Sequence, residues 1–299
     1  MKQIQITFLG TGSAVPTVTR NHTSIFLKYK DRNILVDCGE GTQRQIRKAK
    51  INPCKITDIL ITHFHGDHVF GLPGLLNTLS QSNYGKVLNI YGPKGSNKIF
   101  KKILEIAEVN LKIKFKEVSG KFIDTPYFRI TAMSLEHRIP CNGYLFEEKD
   151  RLRIDKRKLA RFKVKGPKLA KLLGKKNVKI GGKVLKWKDL TYLVKGKKIS
   201  FIFDTKICNN AKKLAKDCSL AIIESSFLGD SGNGNELAKK HKHLTLEQAI
   251  KIAKDSKVNQ LILTHFSQRY EFKEKMLLRK AKKLFKNVRL AKDFMTLEI

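Results

Sequence analysis

The sequence predicts a layered α/β fold. In both halves of its 299 residues, short apolar segments typical of buried strands alternate with longer segments of helical spacing. Two similar segments, "LITHF" (60–64) and "LILTHF" (261–266), each end an apolar strand with Thr-His-Phe, which suggests two related halves. A hydrophobic fraction of 41% fits a folded globular chain of this length.

In the N-terminal half, the candidate strands are apolar or alternating runs that end in polar loops. They are "QIQITFLG" (3–10), "TSIFLKY" (23–29), "NILVDCG" (33–39), "ITDILITHF" (56–64), "VLNIYGP" (87–93) and "FRITAMSLEH" (128–137). Two helices are expected, one over "GEGTQRQIRKAK" (39–50), which is entered through a glycine-rich turn, and one over "GLPGLLNTLSQSN" (71–83).

In the C-terminal half, "KISFIFDT" (198–205), "SLAIIESSF" (219–227) and "VNQLILTHFS" (258–267) have the pattern of buried strands. The segment "LTLEQAIKIAKDSK" (244–257) is amphipathic and has Thr245 as its expected N-cap. Its apolar face consists of Leu246, Ala249, Ile250 and Ala253. A last helix is expected over "FKEKMLLRKAKKLFKNV" (272–288).

The chain is strongly basic, with 61 Lys and Arg against 26 Asp and Glu and a formal net charge of +35. This excess favours a polyanionic partner, nucleic acid in particular, although a lysine-rich genome would also raise the pI. An anionic membrane surface is the competing partner, but the sequence has no long basic amphipathic helix with aromatic anchors. We therefore expect no membrane partner.

Signals for secretion are missing from the sequence. The segment "MKQIQITFLGTGS" has the pattern of a strand and a turn, and no apolar run reaches the roughly 18 residues of a transmembrane helix. The five cysteines (38, 54, 141, 208 and 218) are widely spaced and form no CxxC pair. These features predict a cytoplasmic protein with reduced thiols.

The segment "THFHGDH" (62–68) places three histidines and an aspartate within six residues, directly after a predicted buried strand. Imidazole and carboxylate groups together suit zinc or a similar first-row metal. In an extended segment, His63 and His65 can point the same way, while Asp67 and His68 lie beyond the turn. Groups clustered so closely would repel one another without a cation, so the segment predicts a site for one or two metal ions.

This motif resembles the signature of the metallo-β-lactamase superfamily, whose fold is a four-layer αβ/βα sandwich. The resemblance implies two zinc ions per subunit and three further ligands at strand ends. One zinc ion would be held by His63, His65 and His137. The other would be held by Asp67, His68 and His265, with Asp204 and a water or hydroxide bridging the two. The superfamily often has Gly before the bridging aspartate, where this chain has Phe203.

Further segments resemble the ribonuclease Z family, the tRNA 3′-processing endonucleases. They are "FLGTGSAVPTVTRN" (8–21), "DCGEGTQRQI" (37–46), "HRIPCNGY" (137–144), "ESSF" (224–227), "HKHLTLEQA" (241–249) and "LTHFSQRY" (263–270). The first contains a P-x-x-x-R-N loop that the family places near the substrate end, which implies substrate contacts for Arg20 and Asn21. Val18 stands where the family commonly has Lys.

The resemblance implies a zinc-dependent endoribonuclease that cleaves the 3′ trailer from precursor tRNA. A metal-activated hydroxide would attack the phosphodiester and leave a 3′-hydroxyl on the tRNA. Glu224 and His243 fit this chemistry as a pair, because a leaving ribose oxygen needs a proton and a carboxylate-oriented imidazole can supply it. His243 is preferred to His241 because Leu244-Thr245 follow it, as in the family. Asp67 is expected to double as the base that orients the hydroxide.

Residues 149–188 contain 17 Lys or Arg against two Asp and lie between His137 and Asp204. They contain helical spacing in "DKRKLARF" (155–162) and a Gly-Gly hairpin in "VKIGGKVLKW" (178–187). In "GPKLAKLLGKK" (166–176), a helix is expected to start at Pro167 and end at Gly174, with Leu169, Leu172 and Leu173 on one face. We therefore expect one domain over residues 1–299 that carries a small folded arm at 149–188.

The family has an exosite arm whose Gly-Pro motif, here Gly166 and Pro167, holds the tRNA elbow. Phosphate contacts of this kind supply affinity without sequence information. The family also implies a homodimer in which one subunit's arm serves the other's active site. A solvated insertion is the alternative for the arm.

Two other functions stay open at this point. A thioesterase or small-ester hydrolase of the same superfamily would use the same ligands, but it would not explain the charge or the arm. A non-catalytic RNA-binding module would explain the charge, but not the complete ligand set with Glu224 and His243.

Overall fold

A computed structural model describes residues 3–162, 164–230 and 232–299. Their contacts divide the chain into two compact units. The larger unit comprises the described residues of Met1–Asp124, Ile130–Phe146 and Lys198–Ile299. The smaller unit comprises those of Thr125–Arg129 and Glu147–Lys197, and it contains the basic stretch 149–188.

The first large sheet has seven strands within the described residues, in the order β18-β1-β2-β3-β4-β5-β6. Their bounds are β1 (Gln5–Gly10), β2 (Ser24–Tyr29), β3 (Arg32–Val36), β4 (Asp58–Leu60), β5 (Leu88–Gly92), β6 (Ile113–Glu117) and β18 (Thr296–Glu298). Strands β3 to β6 are parallel. The helices of this half are α1 (Thr42–Lys48), α2 (Gly66–Val69), α3 (Leu72–Gln81) and α4 (Asn97–Ala107).

The second large sheet also has seven strands in the described chain, in the order β17-β16-β15-β14-β9-β8-β7. Their bounds are β7 (Gly120–Asp124), β8 (Phe128–Leu135), β9 (Cys141–Glu148), β14 (Lys198–Ile202), β15 (Leu220–Glu224), β16 (Gln260–Thr264) and β17 (Val288–Leu290). Strands β14 to β17 are parallel. The helices are α8 (Asn209–Ala215), α9 (Gly234–His241), α10 (Leu246–Asp255) and α11 (Glu274–Leu284).

Both faces of the central parallel strands β14, β15 and β16 are buried, as is usual for parallel strands. In β16, Leu261 and Leu263 pack with the apolar faces of α8, α10 and α11, whereas Ile262 has the opposite orientation and is equally buried. The predicted face of α10 and its N-cap are confirmed, because Thr245 forms a capping box with Gln248.

The two sheets meet directly. The Tyr144 hydroxyl donates a hydrogen bond to the Ile61 carbonyl at 2.6 Å, and the rings of Tyr29 and Phe146 are 5.6 Å apart. Helices cover the opposite side of each sheet in separate buried clusters. The predicted αβ/βα sandwich is therefore confirmed.

The carboxyl ends of the parallel strands position the functional residues. The register pairs Val36 with Leu60 in the first sheet, and Ile202 with Ile223 and Glu224 with Thr264 in the second. Polar side chains that follow these strands therefore gather along one edge of each sheet, where open α/β sheets bind ligands.

The smaller unit is built from short elements. A ribbon pairs β10 (Arg151–Ile154) with β13 (Thr191–Val194), and a hairpin pairs β11 (Val178–Ile180) with β12 (Lys183–Leu185). The helices are α5 (Lys156–Ala160), α6 (Pro167–Leu173) and α7 (Trp187–Leu190). They enclose a core of Val164, Leu172, Val178, Leu185 and Leu190.

The sequence predicted several details of this unit. The Gly-Gly hairpin is confirmed, and both glycines have positive φ. The start of α6 at Pro167 and its C-cap at Gly174 are also confirmed. The expectation for Leu173 is wrong: its side chain is 42% exposed, whereas Leu172 is buried.

Within the described ranges, the longest helices have 11 residues, and none is long and apolar enough to cross a membrane. All five cysteines are free thiols.

Candidate metal centre

The segment that follows β4 supplies four of the predicted ligands. His63 is buried just beyond the strand end, and His65 precedes α2 with an extended backbone. Asp67 and His68 lie within the single turn of α2. Because the backbone changes from extended to helical at Gly66, the four side chains separate into two pairs.

The first group of facing ligand atoms comes from three histidines. His63 Nε2 lies 3.0 Å from His65 Nδ1, which lies 3.2 Å from His137 Nε2. Asp204 Oδ2 completes the group at 3.4 Å from His63 Nε2.

The second group is formed by Asp67, His68 and His265. His68 Nε2 and His265 Nε2 are 3.2 Å apart, and Asp67 Oδ2 lies 3.4 Å and 3.3 Å from these two nitrogens. Asp204 Oδ1 lies 3.4 Å and 3.2 Å from the same atoms. Asp204 thus directs one carboxylate oxygen toward each group.

These two groups fit bound cations. Each has four potential ligand atoms within 4.8 Å of one another. Nitrogen lone pairs that face each other at about 3 Å cannot all be satisfied by protons. Asp204 Oδ1 is also buried and makes no well-aligned hydrogen bond to any residue that the structure describes. Imidazole nitrogens and carboxylate oxygens are ligands that zinc accepts.

The outward-facing nitrogens of three histidines are held by hydrogen bonds. His68 Nδ1 donates to Asp37 Oδ2 at 2.7 Å, and His137 Nδ1 donates to the Lys242 carbonyl at 3.1 Å. His265 Nδ1 lies 2.9 Å from the Ser226 hydroxyl. Such contacts fix the ring orientation and direct Nε2 toward the centre.

Asp37 is a site residue that the sequence did not single out. It is fully buried, and it also accepts hydrogen bonds from the backbone N–H and the hydroxyl of Thr62, both at 2.7 Å. Burial raises the pKa of its carboxyl above the ordinary value, and the neighbouring His68 offsets only part of this rise. The available signal was its place directly after a buried strand, the same place that Asp204 has in "FIFDT".

Three residues of the centre have left-handed backbones. The φ angles are 58° at Asp37, 37° at Asp204 and 59° at His265. For residues other than glycine, such conformations cost on the order of 1 kcal/mol or more and cluster at functional sites. Here they turn each side chain inward directly after its strand.

Glu224 and His243 form a hydrogen-bonded pair beside the second group. His243 Nδ1 lies 3.0 Å from Glu224 Oε2, which also accepts a 2.6 Å hydrogen bond from the Ser226 hydroxyl. The Thr205 N–H donates to Glu224 Oε1 at 2.7 Å. Burial lowers the pKa of His243, but the charges of Glu224 and Asp204 outweigh it and raise this pKa to about 9.

A cavity of about 590 Å³ opens onto the two groups and His243. Its wall also contains Pro16, the first residue of the P-x-x-x-R-N loop expected near the substrate end. His22, Phe70 and Arg138 line it as well, and none of these three was predicted as a site residue. His22 can occupy this place in the wall because Gly39 has no side chain. A Cβ at Gly39 would lie 2.5 Å from the His22 Cβ and 2.3 Å from the Asp67 carbonyl oxygen.

Arg20 and Asn21 make their contacts within the protein. Arg20 is 4% exposed; its Nη1 donates to Thr11 Oγ1 and to the Ala291 carbonyl, both at 2.8 Å. Its Nη2 pairs with Glu274 at 3.3 Å, and its guanidinium lies 4.7 Å from the centre of the Phe266 ring.

Asn21 donates its backbone N–H to Asp293 Oδ2 at 2.8 Å and its side-chain Nδ2 to the Glu40 carbonyl at 2.7 Å. The other two predicted substrate residues, Gly166 and Pro167, belong to the smaller unit. Gly166 has φ 58° and ψ −134°, a conformation open essentially to glycine alone, and Pro167 begins α6 directly after it.

Comparisons with known proteins support a family assignment. The chain is 39% identical over 269 residues to a ribonuclease Z of Nanoarchaeum equitans, covering 89% of this chain and 84% of that protein. It is 36% identical over 301 residues to a ribonuclease Z of Methanothermobacter thermautotrophicus, covering 99% and 97%. A family model described as anti-Pycsar protein Apyc1 matches residues 4–128, which is less than half of the chain.

Among solved structures, the short form of human tRNase Z superposes with a TM-score of 0.70 at 28% identity and covers 98% of each chain. The metallo-β-lactamase fold protein YhfI from Bacillus subtilis superposes with a TM-score of 0.71 at 17% identity over the full length of both chains, which supports the fold alone. The chain has the metallo-β-lactamase fold, and it belongs to the ribonuclease Z family of hydrolytic endonucleases.

Proposed function

We propose that this protein is a zinc-dependent endoribonuclease that removes the 3′ trailer from precursor tRNA and leaves a 3′-hydroxyl on the tRNA. The observation that carries the proposal is the pair of ligand groups that share Asp204, with the His243–Glu224 pair beside them. Its relatives' identity as ribonuclease Z supports the choice of substrate.

The residues of the two groups fit two zinc ions. The first would be held by His63, His65 and His137, and the second by Asp67, His68 and His265, with Asp204 shared between them. Bound zinc would lower the pKa of a water nucleophile and neutralise negative charge that develops on the phosphate.

Asp67 and His243 have separate roles in this proposal. Asp67 lines the cavity, and we assign it the orientation of the nucleophile through a hydrogen bond. His243 is the general acid: Glu224 holds its Nδ1, so Nε2 is left to donate a proton to the departing ribose 3′-oxygen. Burial lowers the pKa of this imidazole, but the charge and hydrogen bond of Glu224 raise it, which favours the protonated form that a general acid needs.

Substrate affinity is assigned to the basic surface. The net charge of +35 favours a polyanion, and the smaller unit concentrates positive charge on a folded support, which suits shape recognition of folded RNA. We propose that residues 149–188, including Gly166 and Pro167, grip the tRNA. A cytoplasmic homodimer is part of the same proposal, on the strength of the family resemblance.

The test is cleavage of a precursor tRNA with a 3′ trailer, with and without a chelator. The expected products are tRNA ending in a 3′-hydroxyl and a trailer with a 5′-phosphate, with activity lost in chelator and restored by zinc. Cleavage that survives chelation, or equal turnover of a thioester, would contradict the proposal.

A pair of variants tests the general acid. His243→Asn should lower the rate constant for precursor cleavage about 10²- to 10⁴-fold. It should spare bis(p-nitrophenyl) phosphate, because a nitrophenolate leaves without a proton. His241→Asn is the matched control, since His241 lines the same cavity two residues away. Equal loss of both substrates in His243→Asn would exclude a proton-donor role.

A further inference from the structure

A second cavity, of about 720 Å³, lies between α11 and the segment 288–295. It shares no lining residue with the catalytic cavity. Its size is in the range of small-molecule binding sites. The proposed cleavage reaction does not use it.

The rim of this cavity carries uncompensated positive charge. Lys275, Lys282, Arg289 and Lys292 line it and are all exposed, and none forms an ion pair within the described ranges. Four cations around one concave surface would repel one another, so an anion would be favoured there.

The two acidic residues of the lining do not neutralise this rim, because both are engaged elsewhere. Glu274 pairs with the buried guanidinium of Arg20. Asp293 accepts hydrogen bonds from the Thr11 hydroxyl, the Asn21 N–H and the Gln45 side chain, at 2.7, 2.8 and 3.0 Å.

The floor of the cavity is apolar. Leu278, Val288, Leu290 and Met295 contribute to it, and the Phe294 side chain at its edge is 41% exposed. An inorganic anion would gain nothing from such a floor. A ligand with a planar base and attached phosphates would use both parts, since bases stack on exposed aromatic rings and phosphates bind cations.

The same acids connect this cavity to the catalytic one. Glu274 and Asp293 anchor Arg20 and Asn21, which lie in the loop between β1 and β2. Pro16 and His22 of the same loop line the catalytic cavity. A ligand bound between α11 and segment 288–295 would therefore contact the residues that hold this loop in place.

We propose that the cavity between α11 and segment 288–295 is a second nucleotide-binding site, with the base on Phe294 and the apolar floor and the phosphates on the four cations. The nucleotide comes either from a single-stranded part of the precursor RNA or from the free nucleotide pool. The first source rests on the proposed function, and the second does not.

Binding to the full-length protein tests this site. The probes are 5′-fluorescein hexauridylate and a fluorescent ATP, followed by anisotropy at several salt concentrations, with gels to show that the RNA stays intact. The site variant is Lys275→Ala/Lys282→Ala/Arg289→Ala. The matched control is Lys98→Ala/Lys101→Ala/Lys102→Ala, which removes three exposed charges from α4.

The site variant should weaken probe binding at least tenfold, and the slope of log Kd against log salt should fall by about 0.7 for each phosphate that no longer has a bound cation. The control should change Kd less than twofold. Phe294→Asn should weaken binding about fivefold or more at an unchanged salt slope, because it removes the stacking ring. Asparagine tolerates the positive φ of 66° at this position.

The two probes separate the sources. Site-dependent binding of hexauridylate alone assigns the cavity to RNA, and site-dependent binding of ATP assigns it to a free nucleotide. Equal weakening by the site and control variants, or no effect of Phe294→Asn on either probe, would overturn the proposal. Precursor cleavage and its loss in chelator are measured separately, so the proposed function can fail without this site failing, and the reverse.

Discussion

Asp37→Asn should weaken zinc binding although Asp37 lies outside the ligand groups. The carboxylate accepts three hydrogen bonds, from His68 Nδ1 and from the N–H and hydroxyl of Thr62, each at 2.7 Å. An asparagine has one acceptor oxygen, and its NH₂ group would face a donor on the other side. At least one hydrogen bond is then broken, and the Nδ1–H of His68 no longer donates to a negatively charged carboxylate.

The expected magnitude follows from the role of Asp37. Removing the hydrogen-bond partner of a ligating histidine typically costs 10- to 100-fold in metal affinity or activity. In free energy this is about 1.4 to 2.7 kcal/mol of binding. Leaving a buried donor without a partner also costs about 1 to 3 kcal/mol of folding free energy, so stability has to be followed in parallel.

Asp58→Asn is the matched control. Asp58 is also fully buried, and it accepts hydrogen bonds from Arg32 at 3.1 Å and from the Thr57 hydroxyl at 2.7 Å. It lies at the start of β4, whereas Thr62 and His63 follow the end of that strand. Both substitutions should therefore lower the thermal midpoint, but only Asp37→Asn should lower zinc affinity.

Zinc content is measured after dialysis against graded concentrations of a chelator, together with the thermal midpoint of each zinc-free variant. Asp37→Asn should release zinc at a chelator concentration 10- to 100-fold lower than the wild type, and Asp58→Asn at the wild-type concentration. If the two variants hold zinc equally well, Asp37 does not orient His68 for metal binding.

Three further outcomes are expected. Asp67→Ala should abolish precursor cleavage but keep the Kd for tRNA, by gel shift, within about twofold; a parallel loss of binding would contradict its catalytic role. Replacing residues 155–190 with an Asn-Gly turn between the paired Ile154 and Thr191 should raise KM for precursor tRNA more than tenfold while bis(p-nitrophenyl) phosphate is still hydrolysed; equal loss of both activities would exclude a tRNA-gripping arm. Arg20→Lys and Arg20→Met should both lower the thermal midpoint and the turnover of the small diester, because lysine cannot reproduce the forked contacts of a buried guanidinium; an effect confined to KM for tRNA would indicate a substrate contact instead.

The fold and the first metal-binding motif could be predicted because their signals are local. The segment "THFHGDH" follows one strand, and Asp204 and His265 directly follow others. Parallel strands bring such ends together at one edge of a sheet, which is consistent with a shared site. The choice of His137, Asp204 and His265 as further ligands, and the division into two groups, came from the resemblance to the superfamily. The helix α4 had comparable local spacing at Phe100, Ile103 and Ala107, and it could have been predicted as well.

Other features depend on partners far along the chain. The family resemblance drew attention to Arg20, but its burial depends on contacts with Glu274 and the Ala291 carbonyl, which lie far along the chain. The orienting role of Asp37 likewise needs the fold to place it against His68. The strand β6 lies at the edge of its sheet and has exposed lysines in its short segment "IKFKE". Charged side chains at an edge hinder pairing with other chains. The same lysines weaken the apolar pattern by which a strand is predicted.

The anchoring of the catalytic-cavity loop by Asp293 has a consequence for synthesis of the protein. Asn21 leaves the ribosome early, and the carboxylate that holds its N–H follows 272 residues later. Contacts between residues so distant in sequence form late, because closing the loop between them is entropically costly. The loop that carries Pro16 and His22 can therefore be fixed in place only after Asp293 has been translated.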